Sequence, residues 1–295
     1  MTDGASRREP SRETAAGAAR ARAGRALRRL TPDVLWVLPD FVIIGAQKGG
    51  TTSLYAHLSR HPNVLPARRK EVHFFDNKFA RGAGWYRRQF PSVLTRVGRR
   101  LRHGAPVLAG EASPYYLFHP RAPERLRALL PGARLIVLLR NPVDRAYSQY
   151  WHRVRDGQET LSFEEALDRE PERLAGEAER LRADPGYHSV NHQAYSYLAR
   201  GVYVDQLVRW RALFPADRML VLRGEDLFEN PAKVYERVLR FLGLPDVRIE
   251  TFEKRNAAPP YPPMADATRR RLLEYFRPHN LRLYDLLATD FGWDA

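Results

Sequence analysis

Cysteine is absent from all 295 residues. Its absence excludes a disulfide framework, a zinc–thiolate centre and a cysteine nucleophile, and fits a reducing compartment. Long apolar runs are missing too. Val34–Leu38 is cut by Pro39 and Asp40, and nothing approaches the roughly 20 apolar residues that a membrane span needs. No apolar region of signal-peptide type follows the N-terminal charges, so a chain without a transmembrane segment, in the cytoplasm, is expected. Internal repeats are lacking as well, which suits one large α/β domain with a tail. Lysine is scarce: arginine greatly outnumbers it, so Lys48 is not there by default.

What is present is enough apolar residue for a sizeable core, 44% of the chain, and a net charge of +15. Eight arginines against Asp3, Glu9 and Glu13 put five of those charges in the first 30 residues. Residues 1–35 are expected to form a disordered basic arm, part-helical near Ala18–Leu30, and residues 36–295 a single folded domain. The surplus on the folded part points to a polyanionic partner, such as nucleic acid, an acidic glycan or an anionic cofactor.

Phe41 to Leu58, FVIIGAQKGGTTSLYAHL, organises the chain. Phe41–Ile44 is a short β-branched run that reads as a buried strand. Gly45, Gly49 and Gly50 permit a tight turn, and Thr51, Thr52 or Ser53 is expected to cap the helix that follows. Strand, glycine turn and helix N-terminus make a cradle for an anion, with Lys48 inside it. The register differs from a nucleoside-triphosphate P-loop, in which lysine directly precedes the magnesium-binding Ser or Thr. Here Lys48 comes before the glycines.

Arg134–His152, RLIVLLRNPVDRAYSQYWH, is the second signal. Leu135–Leu139 reads as a central parallel strand, and Asn141-Pro142 opens a helix. Arg140 at the strand end and Ser148 two turns along the helix can hold a phosphate. Between these motifs, Lys70-Glu71-Val72-His73-Phe74-Phe75 alternates, so Glu71 and His73 are expected on one face of a strand or extended loop, either a pair suited to acid–base work or a surface Lys-Glu followed by buried aromatics. Ser162–Glu165 is a capping box, and the charges of Glu170–Arg182 read as a solvated helix face. Leu207, Val208 and Trp210 are expected in the core, and a last helix over Ala267–Phe276. Strands and helices keep alternating, which predicts α/β architecture: a P-loop-like central parallel sheet with helices on both faces, its ligand at the strand carboxyl ends.

Gly45–Thr52 resembles the 5′-phosphosulfate loop of sulfotransferases that use 3′-phosphoadenylyl sulfate (PAPS). The Arg140–Ser148 run resembles their 3′-phosphate element, and the Glu71-Val72-His73-Phe74-Phe75 segment resembles the heparan-sulfate type, of the N-deacetylase/N-sulfotransferase and 3-O-sulfotransferase kind. The resemblance spans roughly residues 40–295 and implies the sulfotransferase fold, a soluble bacterial-like member, PAPS as donor, and PAP as product. It implies cofactor contacts from Lys48, Gly49, Gly50, Thr51, Thr52, Ser53, Arg140, Ser148 and Tyr203, and from a basic loop at Lys254, Arg255 and Asn256. Glu71 is implied as the base, His73 as a helper that orients Glu71 or as an acceptor contact, and Lys48 as the cation on the leaving oxygen, with no metal. The acceptor is expected to be a glycan, glycolipid or small metabolite, sulfated on oxygen or nitrogen, and no specific nucleic acid is expected. Ala112 stands where the eukaryotic heparan-sulfate enzymes usually carry lysine. A P-loop kinase or NTPase and a basic nucleic-acid binder are the competing readings.

Overall fold

The computed structural model describes residues 32–253 and 261–293. Its framework is a five-stranded, all-parallel sheet of β1 (Phe41–Gly45), β2 (Val64–Pro66), β3 (Leu108–Ala112), β4 (Arg134–Leu139) and β5 (Met219–Arg223), in the order β2-β3-β1-β4-β5. The chain leaves β1 toward one edge and later returns to cross to the other. The crevice between the carboxyl ends of β1 and β4 is therefore the topological switch point.

Strand side chains alternate between two helical layers. Phe41 and Ile43 face α1 (Thr51–Ser59) and α11 (Pro231–Leu242), through Leu54, Leu58, Val238 and Leu239. Val42, Ile44, Leu135 and Val137 join the opposite core. That layer includes α4 (Ala122–Leu129), α5 (Pro142–Arg155), α9 (Tyr203–Arg211) and α12 (Asp266–Leu287). The remaining helices are α2 (Gly82–Arg87), α3 (Val93–His103), α6 (Phe163–Leu174), α7 (Glu177–Ala183), α8 (Val190–Ala194) and α10 (Gly224–Glu229). No helix among the described residues is long and apolar enough to cross a membrane.

Several local expectations are overturned. No side chain caps α1; its N-cap is Gly50, at φ 99°. Glu170 is buried rather than solvated, because its carboxylate accepts the N–H groups of Tyr197, Leu198 and Ala199 at 2.7–2.8 Å. Val208 is exposed, while Leu207 and Trp210 are in the core. The last helix runs on through Pro278 to Leu287. An internal proline costs about 3 kcal/mol, yet Leu272 and Phe276 before it and Leu283 after it are all buried, and this packing offsets the penalty. The capping box at Ser162 and Glu165 forms as read. Of the N-terminal arm, only Pro32–Leu35 is described, with Asp33–Leu35 in a 3-10 turn.

Candidate active site

β1 ends at Gly45, and the loop to α1 folds back beneath β4: the Ala46 N–H donates to the Leu138 carbonyl at 2.7 Å. Gly49 is required there, since a Cβ on it would lie 2.4 Å from that same carbonyl oxygen. With Gly50 left-handed and no capping side chain, the first turn of α1 presents backbone N–H groups and the positive end of its dipole to the crevice. Thr51 and Ser53 are buried and Thr52 half-buried. Lys48, at φ 70°, is half-buried in this loop. Burial, then Arg155, Arg140 and Arg153, push its ammonium down to about 8.

Arg140 arrives from the end of β4, its Nη1 3.5 Å from the Lys48 carbonyl oxygen. Asn141 caps α5, accepting from the Val143 N–H at 3.0 Å. Ser148 lies on the buried face of α5. The last turns of α5 bring His152, Arg153 and Arg155 into the field of Lys48. Tyr203 is buried, and its hydroxyl donates to the Arg140 carbonyl at 2.8 Å; it fixes the backbone that carries Arg140. Arg200, buried between the rings of Tyr115 and Phe118, donates to Gln47 of the loop and to the carbonyls of His192 and Gln193 at 2.9 and 2.8 Å. Lys254, Arg255 and Asn256 lie outside the described residues.

Lys70–Asp76 follows β2 as an irregular segment rather than a strand. Glu71 and His73 still meet, because both take left-handed backbone, at φ 59° and 55°. His73 Nε2 is 3.3 Å from Glu71 Oε2, and His73 Nδ1 is 2.6 Å from Asp76 Oδ2. Lys70 pairs with the other Glu71 oxygen. Burial would raise the Glu71 carboxyl, but His73 and Lys70 outweigh it and bring it down to about 2. Burial would lower His73, but Asp76 and Glu71 raise it to about 9. The group is thus a chain of alternating charges, Lys70–Glu71–His73–Asp76.

A buried carboxylate supports that chain from below. Glu111 on β3 accepts from Tyr86 at 2.5 Å, Ser113 at 2.8 Å and Tyr116 at 3.2 Å. Two of these hydroxyls in turn accept backbone N–H groups, Ser113 from His73 at 3.2 Å and Tyr116 from Phe74 at 2.8 Å. Arg125 of α4 grips the Phe75 and Asp76 carbonyls at 2.9 and 2.8 Å. Ala112 is fully buried, and its carbonyl accepts the Glu71 N–H at 2.9 Å; the cation beside Glu71 is Lys70. Sequence reasoning assigns no role to Asp76, Glu111, Arg125 or Arg200, since their roles rest on contacts between elements far apart in the chain. A cavity of about 730 Å³ beside α9 and α12, lined by Phe118, Gln206, Arg209, Tyr275 and Arg282, includes none of the expected site residues.

The parallel sheet and its glycine-rich first loop define a P-loop-like α/β protein. Residues 38–255 match the family described as Sulfotransferase domain, and the chain belongs to that family. It is a sulfotransferase-domain enzyme with the sulfotransferase fold. It is 32% identical to human heparan sulfate glucosamine 3-O-sulfotransferase 6, over 86% of this chain and 73% of that protein. It is 28% identical to the membrane-associated sulfotransferase kil1 of Dictyostelium discoideum, over 88% of this chain and 67% of that protein. The crystal structure of a sulfotransferase from Alicyclobacillus acidocaldarius superposes with a TM-score of 0.69 at 31% identity, over 88% of this chain and all of the other. The family generally uses PAPS as sulfo donor, which takes precedence over the kinase reading of the first loop.

Proposed function

We propose that this protein moves a sulfuryl group from PAPS to a hydroxyl or amine of a carbohydrate, glycolipid or small-metabolite acceptor. The supporting observation is the uncapped, left-handed Gly50 turn, with Lys48 and Arg140 brought together at the β1/β4 switch point. Its fit to a bisphosphorylated nucleotide is good. Mutually repelling cations crowd Lys48, and an anion between them relieves that repulsion. When bound, PAPS supplies the sulfuryl group and a bisphosphate leaving group.

The backbone from Gly49 to Ser53 holds the 5′-phosphate, and Lys48 stabilises charge on the leaving oxygen. Arg140 and Ser148 grip the 3′-phosphate, and Tyr203 steadies Arg140. Lys254, Arg255 and Asn256, outside the described residues, are assigned to the same phosphate by the resemblance alone. Glu71 takes the acceptor proton. It is ionised at rest but weakened as a base by Lys70 and His73. An acceptor that displaces Lys70 from Glu71 raises the carboxylate's proton affinity at the moment of transfer. Asp76 holds His73 with Nε2 turned toward Glu71. The heparan sulfate glucosamine named for the human relative favours a glycan acceptor, whereas Ala112 argues against carrying heparan specificity across.

Thermal melting with adenosine 3′,5′-bisphosphate and no metal, against magnesium-ATP, tests the reading. A ligand at a hundred times its Kd adds about 2.7 kcal/mol. Stabilisation by the bisphosphate that weakens in Arg140→Ala is expected. Stabilisation by magnesium-ATP alone would overturn it.

A further inference from the structure

Helix α3 is built inside out. It is capped at both ends, Ser92 Oγ accepting the Thr95 N–H at 3.2 Å and left-handed Gly104 donating to the Arg100 carbonyl at 2.9 Å. Yet none of its 11 residues is buried. Its inward face is polar. Arg96 pairs with Asp40, and Arg99 donates to the Pro62 and Val64 carbonyls at 3.1 and 2.8 Å. At 3.6 residues per turn, Leu94, Val97 and Leu101 fall on the opposite side. They are 79%, 47% and 81% exposed, and a Cβ at Gly98 beside them would meet nothing.

A second apolar feature lies beside the start of the helix. Trp36 pairs with Ser92 at the helix start, and the residues before it, Val34 and Leu35, are 73% and 43% exposed. Arg100 and Arg102 flank the stripe on either side, both exposed, and neither forms an ion pair among the described residues. No acidic residue lies in α3, and the first 30 residues, which lead into Val34, carry a further net +5.

We infer that the outward face of α3, with Val34 and Leu35, docks on a lipid bilayer bearing anionic headgroups. The physics is that of an interfacial helix: an apolar stripe enters the acyl boundary while flanking arginines extend to the phosphates. The charge complementarity selects this occupant, because a soluble partner would need an apolar ridge rimmed with acid. Arg96 and Arg99 bind next to the starts of β1 and β2, so α3 lies at the amino-terminal edge of the sheet. A docked molecule therefore holds the opposite edge, with Lys48 and Glu71, away from the lipid. The surface tethers the protein and does not itself deliver the acceptor.

Co-sedimentation of the full chain with vesicles of phosphatidylglycerol and phosphatidylcholine, against phosphatidylcholine alone, tests this. Binding to the anionic vesicles is expected, about tenfold weaker in Leu94→Ser/Leu101→Ser, which leaves the net charge unchanged, and weaker in Arg100→Ala/Arg102→Ala. Melting temperature and bisphosphate binding should stay as in the wild type. No binding by the wild type overturns the inference. So does a serine variant that binds as well as the wild type, which would mean that the basic arm adheres by charge alone. Loss of self-association in the serine variant, without vesicle binding by the wild type, would make the face an interface between copies of the chain.

Discussion

His73 Nε2 lies 3.3 Å from Glu71 Oε2 because both residues hold left-handed backbone. Side chains other than glycine, asparagine and aspartate adopt that conformation at a cost of about 1–2 kcal/mol each. Two in three residues persist because Lys78 holds the Val72 carbonyl between them and Ser113, Tyr116 and Arg125 fix the backbone of His73, Phe74 and Phe75. The segment is held in its shape from outside.

Glu71→Gln keeps the shape and removes the base. Turnover should fall about 10²–10⁴-fold, with the affinity for adenosine 3′,5′-bisphosphate unchanged by calorimetry. Turnover within a few-fold of wild type would move the base elsewhere.

The pair also sets a pH window for stability. Glu71 folds with its carboxyl lowered from 4.5 to about 2; its contribution is complete above 4.5 and is lost as pH falls through about 2. His73 is raised from 6.5 to about 9; its contribution is complete below 6.5 and disappears as pH rises through about 9. Urea unfolding of wild type and His73→Asn across pH 5–10 should converge at the alkaline end, and curves that stay parallel would contradict it.

Lys48 offers a different signature. Its ammonium is depressed to about 8, and a bound polyanion should restore it. Bisphosphate binding near pH 9 should therefore take up a proton, visible as a buffer-dependent heat, and Lys48→Ala should abolish that uptake. Its turnover should fall about 10²–10³-fold. An unchanged buffer dependence would remove Lys48 from the anion site.

Glu111→Gln tests the support beneath the catalytic segment. Its carboxylate, raised to about 7 by burial, accepts three hydroxyls, and an amide cannot accept on both atoms. A stability loss of about 1–3 kcal/mol is expected, together with a lower kcat at unchanged bisphosphate affinity. Full kcat with lowered stability would confine Glu111 to the core.

Gly49→Ala should lose bisphosphate binding, because the added methyl meets the Leu138 carbonyl at 2.4 Å and the loop must lift from β4. A destabilisation of about 1–3 kcal/mol accompanies such overpacking. An alanine variant that binds normally would show that the loop tolerates the shift.

The parallel sheet, the cradle after β1 and the arginine after β4 were legible in the sequence, because each is written in contiguous residues: a β-branched run, closely spaced glycines, an Asn-Pro helix start. Local composition also made Leu207 and Trp210 core residues. It misplaced Val208 and Glu170, because one helix turn, or three backbone N–H donors from Tyr197–Ala199, decides burial and neither is visible in hydropathy. The last helix, expected over Ala267–Phe276, continues past Pro278 because the buried residues on both sides of the proline keep α12 intact. Glu71 and His73 were paired by an alternation that the chain does not adopt; left-handed turns fixed by Glu111, Ser113, Tyr116 and Arg125 bring them together instead. The sequence by itself determined the fold class and the glycine turn between β1 and α1, since backbone propensity and glycine sterics act over a few residues. Only the tertiary structure decided which charges meet, which carboxylates are buried and which face of α3 looks outward, since those depend on elements tens of residues apart.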